Sequence, residues 1–199
     1  MRLRIIAGDL GGRWIEAPAG RATRPTAERV REAWFSALGD RVIEARVIDL
    51  FAGSGALGLE ALSRGAAHTH FVESDRLALA TLRRNVANLG VEGRATVVKT
   101  DAFRFLDGLG AEGSAFDRSF EIALVDPPYG TGVSERIVLM FEAAPFADLL
   151  CIERPTDDPD LPCPADWQRR YGDTLLSFVT APGRASGRPR NRQITSKEI

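Results

Sequence analysis

The sequence predicts an α/β domain: a mostly parallel sheet with helices packed on both faces. Three observations carry that prediction. From residue 46 to 153, short β-branched runs alternate with amphipathic stretches of helical period. A glycine-rich turn, GSGALG at 53–58, sits between the first run and the first amphipathic stretch. Acids at Asp49, Glu73, Asp101 and Asp126 fall at or just past the ends of four successive runs. Alternation of this kind implies right-handed crossovers and a doubly covered sheet.

Before this core, RLRIIA (2–7) and RWIEA (13–17) flank DLGG and read as a β-hairpin. PAGRATRP (18–25) reads as a loop, after which Thr26 is placed to N-cap a helix. In that helix Val30, Ala33, Trp34, Ala37 and Leu38 fall at i, i+3, i+4, i+7 and i+8, one apolar stripe. The core then runs RVIDLF (strand), ALGLEALSRG (helix stopped by Gly65), HTHFVE (strand) and DRLALATLRRNVANLG (helix stopped by Gly90). RATVVKT (strand), AFRFLDGL (short helix), FEIALVDPP (strand), VSERIVLMFEAA (helix) and DLLCIE (strand) complete it. RPTDDPDLPCPAD is Pro- and Asp-rich and reads as a loop. WQRRYG and TLLSFVTA, joined at Gly-Asp, form a terminal hairpin. GRASGRPRNRQITSKEI lacks apolar content and is expected to be disordered. The expected organisation is a hairpin-and-loop extension over 1–25, one domain over 26–182 and a basic tail over 183–199.

The 199 residues suit one domain, and 44% hydrophobic content is ordinary for a soluble chain. No apolar run approaches the ~20 residues of a membrane span. The stretch MRLRIIAGDLGGR has no signal-peptide core, so a cytoplasmic location is expected. Cys151 and Cys163 lack metal-site spacing, and Cys151 reads as a reduced core residue. His68 and His70 alternate on one strand face without a second ligand pair, so no metal is expected. The net charge of -1 conceals a polarity: residues 1–31 and 183–199 each carry +4, and the body between them -9. Two basic ends on an acidic body suit an anionic partner met at those ends. Arg24, Arg29 and Arg31, at the start of the first helix, are the candidate phosphate contacts.

The acids are spaced by 24, 28 and 25 residues, about one βα unit each. In an open parallel sheet that puts all four along the carboxyl edge, where ligands bind in such folds. Acids at strand ends also cap helices, and Asp101 is placed to cap AFRFL. GSGALG with Glu73 20 positions after Gly53 fits the dinucleotide fingerprint. Asp49 argues otherwise. It lies inside its strand, where a carboxylate is desolvated and costly unless paired. A dinucleotide would bring two phosphates beside it. A ligand with an ammonium group and no phosphate, such as S-adenosylmethionine, would pair with it. Gly53 and Gly55 allow close backbone approach, Glu73 can accept from ribose hydroxyls, and Asp101 with the Ala102 N–H can meet adenine.

DPPY (126–129) follows the apolar strand IALV. Two prolines rigidify the chain and remove two N–H donors, leaving acceptor oxygens suited to a substrate amine. Tyr129 adds a flat face for a base.

Together, DLFAGSGALGLEALSRG, Glu73, Asn85, Asp101-Ala102 and DPPY resemble the amino-methylating, Rossmann-like S-adenosylmethionine-dependent methyltransferases. More narrowly, RIIAGDLGGR, Arg24-Pro25-Thr26 followed by REAWF, and LFAGSGALGLEALSRGA resemble the RsmD-type family, over residues 2 to about 180. Those enzymes methylate the exocyclic N2 of one guanine, position 966, in 16S ribosomal RNA. The resemblance implies a seven-stranded sheet whose final strand is antiparallel, preceded by a small N-terminal hairpin. It implies that Asp49, Ala52, Gly53, Ser54 and Gly55 serve the methionine part of the cofactor, Glu73 the ribose, and Asp101 and Ala102 the adenine. Thr26 would close over the cofactor, and Asp126, Pro127 and Tyr129 would form the catalytic motif. The implied partner is 16S ribosomal RNA, free or in a small-subunit particle, met by a monomer. Trp34 departs from the family, where a smaller aliphatic is usual, and the tail past residue 182 extends beyond it. The alternatives are methylation of a DNA adenine or a protein glutamine, an NAD oxidoreductase, and a non-catalytic RNA-binding assembly factor.

Overall fold

The alternation of the core becomes one seven-stranded sheet in a computed structural model that describes residues 2–17, 25–109, 120–128 and 132–183. Arg24, Tyr129 and the tail from residue 184 lie outside the described residues. The N-terminal hairpin pairs β1 (Arg2–Arg4) with β2 (Trp14–Glu16), antiparallel. Its strands are shorter than the six and five residues expected. From Ile6 onward the chain turns to meet α2 (Ala56–Ser63) instead of continuing the ladder. Ile6 N–H and Ala7 N–H donate to Glu60 at 2.8 and 3.0 Å, and Leu10 N–H to Ser63 Oγ at 3.0 Å.

Helix α1 (Pro25–Leu38) starts one residue before the expected cap. Thr26 is its second residue rather than its N-cap. Proline suits the first helical position because its missing N–H has no intrahelical partner there and its φ is already helical. Val30, Ala33, Trp34 and Leu38 bury the expected stripe. Trp34 is fully buried, with its ring 6.4 Å from Phe178 and its Nε1–H donating to Glu153 at 3.4 Å. The space over the sheet that a smaller aliphatic would leave is thus filled by the indole.

The core follows as β3 (Arg46–Leu50), α2, β4 (His68–Glu73), α3 (Arg76–Leu89), β5 (Ala95–Lys99), α4 (Ala102–Gly108), β6 (Phe120–Val125), α5 (Val133–Ala143), β7 (Ala147–Pro155), β8 (Trp167–Tyr171) and β9 (Thr174–Thr180). Asp75 caps α3, accepting from Leu77 N–H and Ala78 N–H at 3.0 and 2.8 Å, and Gly90 ends it at φ 70°. The strand order is β5-β4-β3-β6-β7-β9-β8. The first five strands in that order are parallel, and β9 runs antiparallel to both β7 and β8, as the resemblance implied. Strand β7 outlasts DLLCIE because Arg154 and Pro155 still pair with Leu175 and Thr174 of β9.

Apolar residues cover both faces of the sheet. One face packs Trp34, Leu59, Leu62, Leu82 and Val86 with Phe71, Cys151 and Phe178. The other packs Phe105, Leu106, Ile137 and Phe141 with Ile48, Leu50 and Ile152. Cys151 is buried and reduced, and burial pushes its thiol pKa well up. Among the described residues no helix is long and apolar enough to cross a membrane.

Candidate cofactor and substrate site

Strand order reverses between β3 and β6. From β3 the chain winds outward through β4 and β5, then returns to the other side with β6 and β7. Loops leaving the carboxyl ends of β3 and β6 therefore diverge and open a crevice, the usual ligand position in this architecture. The four acids lie along that edge on adjacent strands: Asp101 beyond β5, Glu73 ending β4, Asp49 in β3 and Asp126 just past β6.

Asp49 sits in mid-sheet, in register with Phe71 on one side and Leu124 on the other. It is 1% exposed and accepts the Gly58 N–H at 2.9 Å. Burial pushes its carboxyl pKa up to about 8, against the pull of the Gly58 N–H and with added repulsion from Asp126 and Glu73. That donor is available because α2 lies very close to the sheet: a Cβ at Gly58 would stand 2.3 Å from Phe71 Cε1 and 2.8 Å from Thr69 Cγ2.

The loop from β3 to α2 is braced at each turn. Ala52 N–H donates to Val72 O at 3.0 Å, Gly53 N–H to Glu73 Oε2 at 2.7 Å, and Gly55 N–H to Ala52 O at 2.7 Å. Gly55 precedes α2 at φ 83°, which a side chain would strain. Ser54 and Ala52 are buried, and Ser54 O accepts from Asn85 Nδ2 at 2.9 Å. Glu73 also accepts Asp75 N–H at 2.7 Å through Oε1, so both its oxygens are oriented by backbone and each keeps a second lone pair. Asp101 caps α4, accepting Phe103 N–H and Arg104 N–H through Oδ1 at 3.0 and 3.2 Å; Ala102 beside it is buried. Asp126 is half-buried and Pro127 buried at the end of β6.

Three features went unread in the sequence. Phe51 adopts φ 63° although it is not glycine, a local strain of roughly 1–3 kcal/mol that the surrounding fold sustains. Its ring meets Phe103 edge-on at 6.4 Å, and Arg136 of α5 stacks over Phe103 at 3.8 Å, an aromatic–cation stack that joins the turn after β3 to α4 and α5. The third is the bridging role of Asn85, which joins the hairpin to the loop: it accepts Glu16 N–H at 2.8 Å and donates to both Glu16 O and Ser54 O at 2.9 Å.

The expected RNA contacts divide. Arg29 is exposed. Arg31, expected at the surface, is instead 4% exposed, 3.6 Å from Glu60, and donates to Arg4 O. Glu60, itself fully buried in α2, draws Arg31 inward, so Arg31 holds the hairpin to the core and faces no solvent. The histidines His68 and His70 pack ring to ring at 4.8 Å, and burial pulls His70 down to about 4. Among the described residues no cluster of three metal-ligating side chains occurs.

A family model described as conserved hypothetical protein 95 matches residues 3–179. The ribosomal RNA small subunit methyltransferase D of Escherichia coli is 38% identical over 169 residues, covering 83% of this chain and 81% of that protein. The chain belongs to this RsmD-type family. A solved structure of a hypothetical protein from Thermus thermophilus is 32% identical with a TM-score of 0.76, covering 90% of this chain and 99% of that one. More distantly, an RNA methyltransferase of Salinibacter ruber in complex with S-adenosyl-L-homocysteine shares the fold, with 17% identity and a TM-score of 0.61 over 83% of this chain and 99% of that one. The RsmD-type chain thus has a Rossmann-like methyltransferase fold, with its acids on the carboxyl edge of the sheet.

Proposed function

We propose that this protein transfers a methyl group from S-adenosylmethionine to the exocyclic N2 of a guanine in 16S ribosomal RNA, position 966 by family resemblance. The names of its relatives support the ribosomal substrate. The observation that carries the cofactor reading is Asp49: a buried carboxyl beside a glycine loop, its anion disfavoured by burial and by Asp126 and Glu73, suits a cation that stabilises the anion and gains nothing from a phosphate. An α-ammonium and a sulfonium meet that requirement; a pyrophosphate does not.

In this reading Asp49 pairs with the α-ammonium, and the backbone of Ala52, Gly53, Ser54 and Gly55 surrounds the methionine part. Glu73 has lone pairs to spare for the ribose hydroxyls. Asp101 and the Ala102 N–H meet the adenine edge, and Thr26 closes from α1. Bound there, the cofactor supplies a methyl carbon made electrophilic by its sulfonium.

The remaining work falls to this chain's residues. Guanine N2 is a poor nucleophile because its lone pair is delocalised into the ring. Asp126 and the Pro127 carbonyl accept its N–H bonds and localise that lone pair toward the methyl carbon. Tyr129 stacks on a base that must first be unpaired or flipped out. A bond forms from N2 to carbon, the carbon–sulfur bond breaks, and its electron pair stays on sulfur. The N2 proton departs afterwards, with Asp126 at hand to accept it, so no strong base is needed. Positioning is most of the catalysis, and such alignment contributes about 7–11 kcal/mol. Arg24 and Arg29 hold phosphates, which makes binding salt-dependent.

The test combines two measurements. S-Adenosylhomocysteine should raise the melting temperature and NAD should not. Asp126→Ala should keep that shift and lose transfer to small-subunit particles by roughly 10²-fold or more. Near-normal transfer by Asp126→Ala would remove Asp126 from the mechanism.

A further inference from the structure

The outward face of the N-terminal hairpin has no part in the site described above, yet its composition is unusual. Leu3 and Ile15 form its inward pair and are 7% and 2% exposed. The pairs Arg2–Glu16 and Arg4–Trp14 lie on the opposite face. Trp14 is 58% exposed. Tryptophan is usually well buried, and this one sits cross-strand from an exposed arginine, within side-chain reach of it.

We propose that this face is an RNA-contact surface, on which Trp14 stacks an unpaired base while Arg2 and Arg4 hold the neighbouring phosphates. The proposal rests on the ribosomal RNA substrate proposed above and extends it to a second point of contact.

Charge supports it. Glu16, the acid on this face, is matched by Arg84 at 2.9 Å, so the face keeps a net positive charge. It belongs to the N-terminal segment of +4 on a body of -9, so an anionic partner is drawn to this end. The chain's own tail also carries +4 and would be repelled. An exposed indole among arginines is the composition of a single-strand platform, where stacking tolerates any base and guanidinium groups track the backbone.

Rigidity supports it as well. Three-residue strands are too short to stand alone, but this hairpin is held through Glu60, Ser63 and Asn85. Arg13 adds bonds to Leu89 O at 3.0 Å and to Asn88 O. A platform already ordered loses little freedom on binding. Through Asn85 it is also fixed relative to Ser54 in the loop after β3, so RNA held here has a set register to the crevice.

The experiment uses the full chain and its Trp14→Ala, Trp14→Phe and Trp14→Leu variants. Three quantities are measured: Kd for a labelled single-stranded oligouridylate, KM and kcat on small-subunit particles, and Kd for S-adenosylhomocysteine. Removing one stacked base should raise the RNA Kd and the particle KM by about tenfold for the Ala and Leu variants. The Phe variant should stay close to wild type, with S-adenosylhomocysteine binding equal in all four. Wild-type RNA affinity in Trp14→Ala overturns the proposal. So does full function in Trp14→Leu, which would mark the face as a plain apolar contact for a protein. If no guanine is methylated while RNA affinity still depends on Trp14, the substrate reading falls and the surface stands.

Discussion

The backbone N–H of Gly58 donates to the Asp49 carboxylate at 2.9 Å, in mid-sheet where Asp49 is 1% exposed. One neutral donor does not offset the burial of a carboxylate, which is why its pKa stands near 8. Without cofactor, Asp49 is therefore mostly protonated at neutral pH. An ammonium partner requires the anion, so cofactor binding releases a proton. Affinity for S-adenosylhomocysteine should rise with pH by up to about tenfold per unit until pH 8 and then level off. Isothermal titration in buffers of different ionisation enthalpy would count the proton. Affinity flat from pH 6 to pH 8 would contradict this.

The same group sets a stability trend. Between the unfolded carboxyl pKa and about 8 the native state holds one more proton than the unfolded chain, so this contribution to stability falls as pH rises and is lost above pH 8. Asp49→Asn keeps an acceptor for Gly58 and removes the buried charge. Its cofactor-free form should be at least as stable as wild type at pH 8, with cofactor affinity lower by roughly 10–100-fold, the worth of a charge-assisted bond. Thermal melts with and without S-adenosylhomocysteine read both effects.

Gly58→Ala tests the close approach of α2 to the sheet. Its Cβ would overlap Phe71 and displace the N–H from Asp49. Overpacking of this kind costs about 1–3 kcal/mol, and urea unfolding should show it. Unchanged stability would mean that α2 moves freely over β4.

Glu60→Ala removes the shared acceptor of Ile6 N–H, Ala7 N–H and Arg64 Nε–H, and the ion-pair partner of Arg31. Breaking a buried pair by deleting one partner costs about 3–5 kcal/mol. Hydrogen exchange should show the hairpin amides losing protection before the sheet does. Equal protection in mutant and wild type would contradict the anchoring role of Glu60.

Much of this architecture was legible beforehand, for physical reasons. Strand and helix periods differ, so RVIDL and the Val30–Leu38 stripe declare themselves. Near-regular βα spacing carried Asp49, Glu73, Asp101 and Asp126 to one edge. What escaped depends on partners distant in sequence. Arg31 reads as a phosphate contact because nothing nearby in sequence reveals that Glu60, beyond β3 in α2, draws it inward. The only local hint was an acid set among apolar residues in ALGLEALS. Strand β7 outran DLLCIE because β9 continues the ladder, and the left-handed turn at Phe51 is imposed by the loop around it. The sequence offers Asp101 both as a cap and as an adenine contact, and the structure shows the cap on one oxygen.

The proposed reaction is read out by incubating the protein with unmodified small-subunit particles and labelled S-adenosylmethionine, then identifying the methylated nucleoside by mass spectrometry. N2-methylguanosine is expected at a single position of 16S ribosomal RNA, reduced by roughly 10²-fold or more in Asp126→Ala. Label in a DNA adenine or a protein glutamine, or no transfer to any RNA, would contradict it.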